Sequence, residues 1–158
     1  MENCITSLSN KLETISLGAA LAIACQRASI IYLYGDLGTG KNYALPWFSK
    51  CTRIFRVYKS PTYTLVESYF LPYWTVYHFD LYRLSAPEEL EFIGVRDYFN
   101  EATLCLVEWP QRGGDVLPAG DISLTLQYQK DSRQTYVTGL STVGNQILVP
   151  LRRQGTFL

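Results

Sequence analysis

The sequence predicts an α/β fold in three layers: a mixed, largely parallel central sheet between helices, with an antiparallel strand pair near the C-terminal end. Three observations support it. Ser29–Tyr34 and Thr103–Val107 are short, continuously apolar runs, the mark of strands covered on both faces. Helical and extended patterns alternate between and around them, punctuated by Gly and Pro. Asp121–Gln129 and Arg133–Ser141 alternate in polarity on either side of a turn at Gln129–Ser132, as antiparallel neighbours do. At 158 residues, 47% hydrophobic and 18% charged, the chain suits one domain over residues 1–158 with a single core.

The elements follow in order. Leu12, Ile15, Ala19 and Ala22 or Ile23 recur at helical spacing and predict an amphipathic first helix. Leu21–Cys25 also resembles the end of an export signal, but Glu2 and Glu13 against Lys11 do not make a positive leader. The uncharged stretch Thr14–Gln26 is shorter than the ~20 apolar residues needed to span a bilayer, so no membrane role is expected. A buried strand over Ser29–Tyr34 stops at Gly35, and a helix is expected from Gly40 or Lys41. Extended segments are expected around Ile54–Tyr58, Leu65–Leu71 and Thr75–Leu81.

Ser85–Leu90 opens a helix, with Pro87 in its first turn and Glu88, Glu89 and Glu91 complementing the positive end of its dipole. The strand Thr103–Val107 ends at Glu108. Cys4, Cys25, Cys51 and Cys105 form no C-x-x-C pair; two disulfides would suit their number, but small buried apolar residues in a reducing cytosol is the reading adopted.

Lys plus Arg equals Asp plus Glu, 14 against 14, which argues against gripping nucleic acid by bulk charge. A task on RNA through protein partners remains compatible. No acid lies between Asp36 and Glu67, whereas Lys41, Lys50, Arg53, Arg56 and Lys59 do, giving either a solvated positive face or one that draws phosphate inward.

Gly35-Asp36-Leu37-Gly38-Thr39-Gly40-Lys41 has the G-x-x-x-x-G-K spacing between a buried strand and an expected helix. Glycines let such a loop curl its N–H groups around phosphate, and the positive helix end adds attraction. The nucleotide-binding residues expected are Asp36, Leu37, Gly38, Thr39, Gly40, Lys41, Asn42 and Tyr43, with Lys41 reaching the outer phosphates. The expected ligand is a nucleotide with Mg²⁺, on a P-loop NTPase-like fold. Asn42 stands where Ser or Thr normally ligates the metal. Its carboxamide oxygen is a hard ligand that Mg²⁺ accepts, though one bond further from the backbone. Pro46 falls beyond the free first turn and predicts a short, kinked or shifted helix.

Glu108 ends a buried strand at the carboxyl edge where ligands collect in parallel sheets. A carboxylate there can hold Mg²⁺, directly or through water, or orient the attacking water; an exposed strand-end acid is the plain alternative. Trp109 and Pro110 suggest a packed loop that anchors Glu108 or meets a partner. Alternation puts His78 and Asp80 on one face of Thr75–Leu81, opposite Tyr77, Phe79 and Leu81. Asp80 suits equally a structural pair with Arg83 and a catalytic role. His78, the only histidine, is read as structural rather than as a base.

Taken together, Ile31–Lys41 (IYLYGDLGTGK), Ser60–Glu67 (SPTYTLVE), Val76–Leu84 (VYHFDLYRL), Pro87–Phe99 (PEELEFIGVRDYF) and Leu106–Gln111 (LVEWPQ) resemble the TsaE (YjeE) family. These are small bacterial P-loop ATPases of tRNA threonylcarbamoyladenosine (t6A) synthesis. The resemblance covers most of residues 8 to 130, and Asn42 to Tyr58 departs from it: the family usually has hydroxyl residues after the lysine and no proline in this helix. It implies a cytoplasmic protein that hydrolyses ATP weakly alone and acts on docking to TsaB and TsaD, with TsaC upstream. The modified site is adenosine 37 of tRNA, reached indirectly through the complex.

The resemblance tips Glu108 and Asp80 toward function, with Asp80 near the γ-phosphate; the catalytic residues expected are then Lys41, Asp80, Glu108 and Thr62, and Asn42 and Glu108 are the residues expected to organise the metal. Pro61 holds Ser60 extended, which can present the Thr62 hydroxyl to phosphate or metal. The alternative function is a nucleotide-dependent binding subunit that has lost efficient hydrolysis through Asn42, Tyr43 and Pro46. A small-molecule phosphotransferase is disfavoured, because so short a chain shows no lid insertion.

Overall fold

A computed structural model describes residues 3–8, 25, 28–35, 65–70, 75–130 and 132–153. Its strands are β1 (Asn3–Leu8), β2 (Ser29–Gly35), β3 (Val66–Phe70), β4 (Thr75–Asp80), β5 (Thr103–Glu108), β6 (Ile122–Gln129) and β7 (Ser132–Gly139). They form one sheet in the order β1-β7-β6-β2-β5-β4-β3. The four central strands, β6, β2, β5 and β4, run parallel. Antiparallel strands flank them: β7 on β6, β1 on β7, and β3 on β4. The mixed, largely parallel sheet expected from the two apolar runs is present, and those runs are its adjacent central strands β2 and β5. Gln129 pairs with Ser132, closing the β6–β7 hairpin where the turn was expected.

Each face of the sheet is covered. Ile31, Leu33, Leu104, Leu106 and Leu124 pack on one side with Ile147, Leu148 and Leu151 of helix α2 (Thr142–Arg153). Tyr32, Phe79, Cys105 and Val107 pack on the other with Leu90 of the five-residue helix α1 (Glu88–Phe92). Pro87 is the N-cap of α1, as its fixed φ allows, and Gly94 ends the segment with φ +68°. At the amino edge of the sheet, Asp121 accepts from the Ile30 N–H at 2.8 Å and from the Ser141 hydroxyl at 2.6 Å, tying β2 to the start of α2.

Neither β1 nor α2 was anticipated from the sequence. The first amphipathic helix, the helix from Gly40 or Lys41 with its Pro46, and the extended segment at Ile54–Tyr58 lie outside the described residues. Among the described residues no helix is long and apolar enough to cross a membrane.

Cys25 and Cys105 are free, buried thiols. Burial pushes each up from 9.0 to about 12, against hydrogen bonds with Ser29 and Thr103 respectively that pull down. The folded chain therefore keeps these protons to higher pH than the unfolded chain does. Their contribution to stability is intact below pH 9 and falls as pH rises from 9 towards 12. Guanidinium midpoints measured from pH 8 to 11 should fall more steeply for the wild type than for Cys105→Ala; identical slopes would contradict this.

Candidate functional site

The carboxyl ends of the parallel strands bring three positions to one edge: Gly35 on β2, Asp80 on β4 and Glu108 on β5. In register, Glu108 lies beside Leu33 on one flank and Asp80 on the other. The period-two pleat then places Val76, His78 and Asp80 of β4 on the same face as Leu104, Leu106 and Glu108 of β5. Gly35 completes this edge with φ +145°, a backbone state that side chains rarely adopt, at the point where the chain enters Asp36–Tyr43.

Glu108 is 1% exposed, so the plain strand-end acid is excluded. Its Oε2 lies 2.9 Å from Nε2 of His78, itself buried. Its Oε1 is buried without a hydrogen-bond partner among the described residues. An unpartnered buried carboxylate oxygen is costly, on the order of 1–3 kcal/mol or more for a charged group. Such an atom is poised for a cation or a donated proton. Asp80 is half-buried and its Oδ1 accepts from the Tyr82 N–H at 3.1 Å, an Asx turn that fixes the exit from β4. The Leu81 N–H donates to the Glu108 carbonyl at 3.1 Å, locking the ends of β4 and β5 together.

The residue after Glu108 is held in an unusual state. Trp109 has φ +57° and ψ +47°, left-handed geometry that costs a non-glycine residue about 1–2 kcal/mol. It persists because its surroundings over-determine it. Buried Pro110 starts a 3-10 turn through Arg112, and the Trp109 ring meets Tyr82 at 5.1 Å between centroids. The Arg112 guanidinium lies 5.8 Å from the Tyr82 ring centre. The loop is packed as expected, and this packing anchors the backbone of Glu108.

The structure thus brings Asp80 and Glu108 together and adds His78 as the partner of Glu108. Sequence reading put His78 on the Asp80 face but missed its contact. The signal was there: the contact joins diagonal neighbours, since His78 is level with Leu106, two residues before Glu108. Asp36, Leu37, Gly38, Thr39, Gly40, Lys41, Asn42, Tyr43 and Thr62 lie outside the described residues.

Among the described residues no three His, Cys, Asp or Glu side chains converge into a self-contained metal cage. The donor set suits a hard cation of the Mg²⁺ kind, which is commonly held by one or two carboxylates together with substrate phosphates. The orphaned Oε1 of Glu108 offers an acceptor of that kind.

Comparison with known proteins gives a consistent picture. Residues 8–136 match the family model described as "Threonylcarbamoyl adenosine biosynthesis protein TsaE". The chain is 42% identical over 128 residues to a Haemophilus influenzae protein named tRNA threonylcarbamoyladenosine biosynthesis protein TsaE, covering 81% of each. A Bacillus subtilis protein of the same name is 29% identical over 137 residues, spanning 87% of this chain and 84% of its own length. The crystal structure of Bacillus subtilis YdiB superposes with a TM-score of 0.79 at 24% identity, over 98% of this chain and 97% of that one, and shows the same fold.

Proposed function

The chain belongs to the TsaE family, and on that premise we propose that it binds ATP with Mg²⁺ and hydrolyses it in support of t6A formation. Its place is in tRNA threonylcarbamoyladenosine biosynthesis, as the names of its relatives state. Within that pathway the reading assigns it the ATPase step, weak alone and productive on docking to TsaB and TsaD in the cytoplasm. The tRNA meets it only through that complex, in keeping with a neutral charge balance of 14 against 14.

One observation supports the chemistry above the others. A buried carboxylate with one oxygen committed and the other unpartnered stands one strand away from the end of β2, where the G-x-x-x-x-G-K segment begins. Lys41 and the loop amides of Asp36–Gly40 would hold the phosphates, and Asn42 with Glu108 would hold the metal. Mg²⁺ held there would neutralise charge on the outer phosphates. Glu108 Oε1 would accept a hydrogen bond from water and orient it. Asp80 and Thr62 polarise the surroundings of the γ-phosphate.

The test is phosphate release from ATP with TsaB and TsaD present, measured beside a Lys41→Ala control. Release well above the control supports the reading. Release no faster than the control favours the second reading, a nucleotide-dependent binding subunit, which Asn42, Tyr43 and Pro46 motivate. Asn42→Thr restores the usual metal-ligating hydroxyl and should raise turnover by about tenfold, equivalent to about 1.4 kcal/mol of barrier. An unchanged rate would remove Asn42 as the cause of weak hydrolysis.

A further inference from the structure

We propose that His78 is the positioning residue of the carboxylate site: its Nε2–H holds Glu108 Oε2, so that Oε1 alone is presented to the nucleotide side. This rests on the ATPase reading and names how its carboxylate is aimed.

The two oxygens of Glu108 are in different situations. Oε2 is 2.9 Å from Nε2 of His78, and Oε1 is buried with no partner among the described residues. A carboxylate is an acceptor only, so the pair needs a proton on Nε2 of the ring. Without that contact the Glu108 side chain could turn about its terminal bond, where the torsional wells are broad and roughly two-fold. With it, one oxygen is committed and the carboxylate plane is fixed. His78 itself has little freedom: it is 2% exposed, in the centre of β4 between two neighbouring strands, level with Leu106 of β5 and Glu67 of β3.

The backbone on the other side of Glu108 is fixed independently. Trp109 is in left-handed geometry, and the Leu81 N–H holds the Glu108 carbonyl at 3.1 Å. Main chain and carboxylate are thus held by separate contacts, the carbonyl by the exit of β4 and the carboxylate by a side chain within it. This is the arrangement expected where a catalytic group must be held within about half an ångström by its supporting residues. A buried histidine with only a packing role has no need of a carboxylate whose second oxygen is left unsatisfied.

His78 is the only histidine in the chain, so its ring can be observed without assignment. Long-range proton–nitrogen NMR of the full, uniformly ¹⁵N-labelled chain should show Nε2 carrying a slowly exchanging, downfield proton. That resonance should move upfield in Glu108→Gln and persist when Mg²⁺ and a non-hydrolysable ATP analogue are added. An unprotonated Nε2 in the wild type would overturn the proposal whatever the variants do.

Turnover supplies a second readout. Gln places its amide nitrogen where Nε2 stands, whereas Asn mimics Nδ1 and Leu mimics neither. His78→Leu and His78→Asn should lose about 10- to 100-fold in kcat with ATP affinity within about threefold of wild type, and His78→Gln should recover most of the loss. Equal turnover in all three would overturn the positioning role while leaving the ATPase reading intact. A wild type that neither binds ATP nor exceeds the Lys41→Ala control would instead defeat the ATPase reading, and the NMR result would still report on the His78–Glu108 bond.

Discussion

Lys41→Ala should weaken ATP binding by about 100-fold, or about 2.7 kcal/mol, and reduce phosphate release to background. The lysine closes the G-x-x-x-x-G-K segment and is the one charged side chain that this pattern directs to the outer phosphates. Charge-assisted hydrogen bonds are worth about 1.5–3 kcal/mol each, so loss of a contact to two phosphates fills this range. The amides of the loop are untouched by the substitution, and residual millimolar binding should therefore survive. Isothermal calorimetry on Lys41→Ala with an unchanged circular dichroism spectrum would check it. Affinity within threefold of wild type would mean that the lysine is incidental to the loop.

Glu108→Gln should have the opposite signature, in which ATP stays bound and is not turned over. The carboxamide keeps the shape of the side chain, but it brings a donor to a pair of positions that both accept in the wild type. Loss of an aimed electrostatic group of this kind typically costs 100- to 1,000-fold in kcat. ATP affinity should stay within about threefold, because the substitution leaves the proposed phosphate site, the glycine loop with Lys41, untouched. Single-turnover measurement would show ATP accumulating on the protein in place of ADP. Turnover within fivefold of wild type would reduce Glu108 to a structural acid. The two variants together separate binding from chemistry, which neither does alone.

How much of this was readable beforehand follows from the kind of pattern each element carries. β5 and its terminal acid were legible because a fully buried strand leaves a continuous apolar run, and Thr103–Glu108 is buried at every position. The β6–β7 hairpin was legible because its alternation and its turn agree, down to the pairing of Gln129 with Ser132. Helix α1 was placed correctly at its start by Pro87, and it ends after five residues, ahead of Gly94, which turns the chain left-handed.

Helix α2 was hidden by its own composition. Gly144 and Pro150 both count against a helix on propensity. Burial of Ile147, Leu148 and Leu151 against the sheet wins over that cost. Gly144 is needed there, since a Cβ would stand 1.8 Å from the Asp121 carbonyl oxygen. β1 has no apolar run of its own and is specified by its partner, pairing Asn3–Leu8 with Arg133–Thr138. Such partner-specified strands leave little trace in local sequence. The contact of His78 with Glu108 was only half legible: alternation put His78 on the Asp80 face, but the parallel register that makes Glu108 its diagonal neighbour joins two strands separated by α1, which no local spacing encodes.

The account depends on a triphosphate being held at the carboxyl edge of β2. Titration calorimetry of the folded wild-type chain with ATP, with and without Mg²⁺, addresses this most directly. Saturable binding at one site per chain, strengthened by Mg²⁺ and weakened by Lys41→Ala, is the predicted result. No heat at millimolar ATP under either condition, in protein with a cooperative thermal transition, would contradict it.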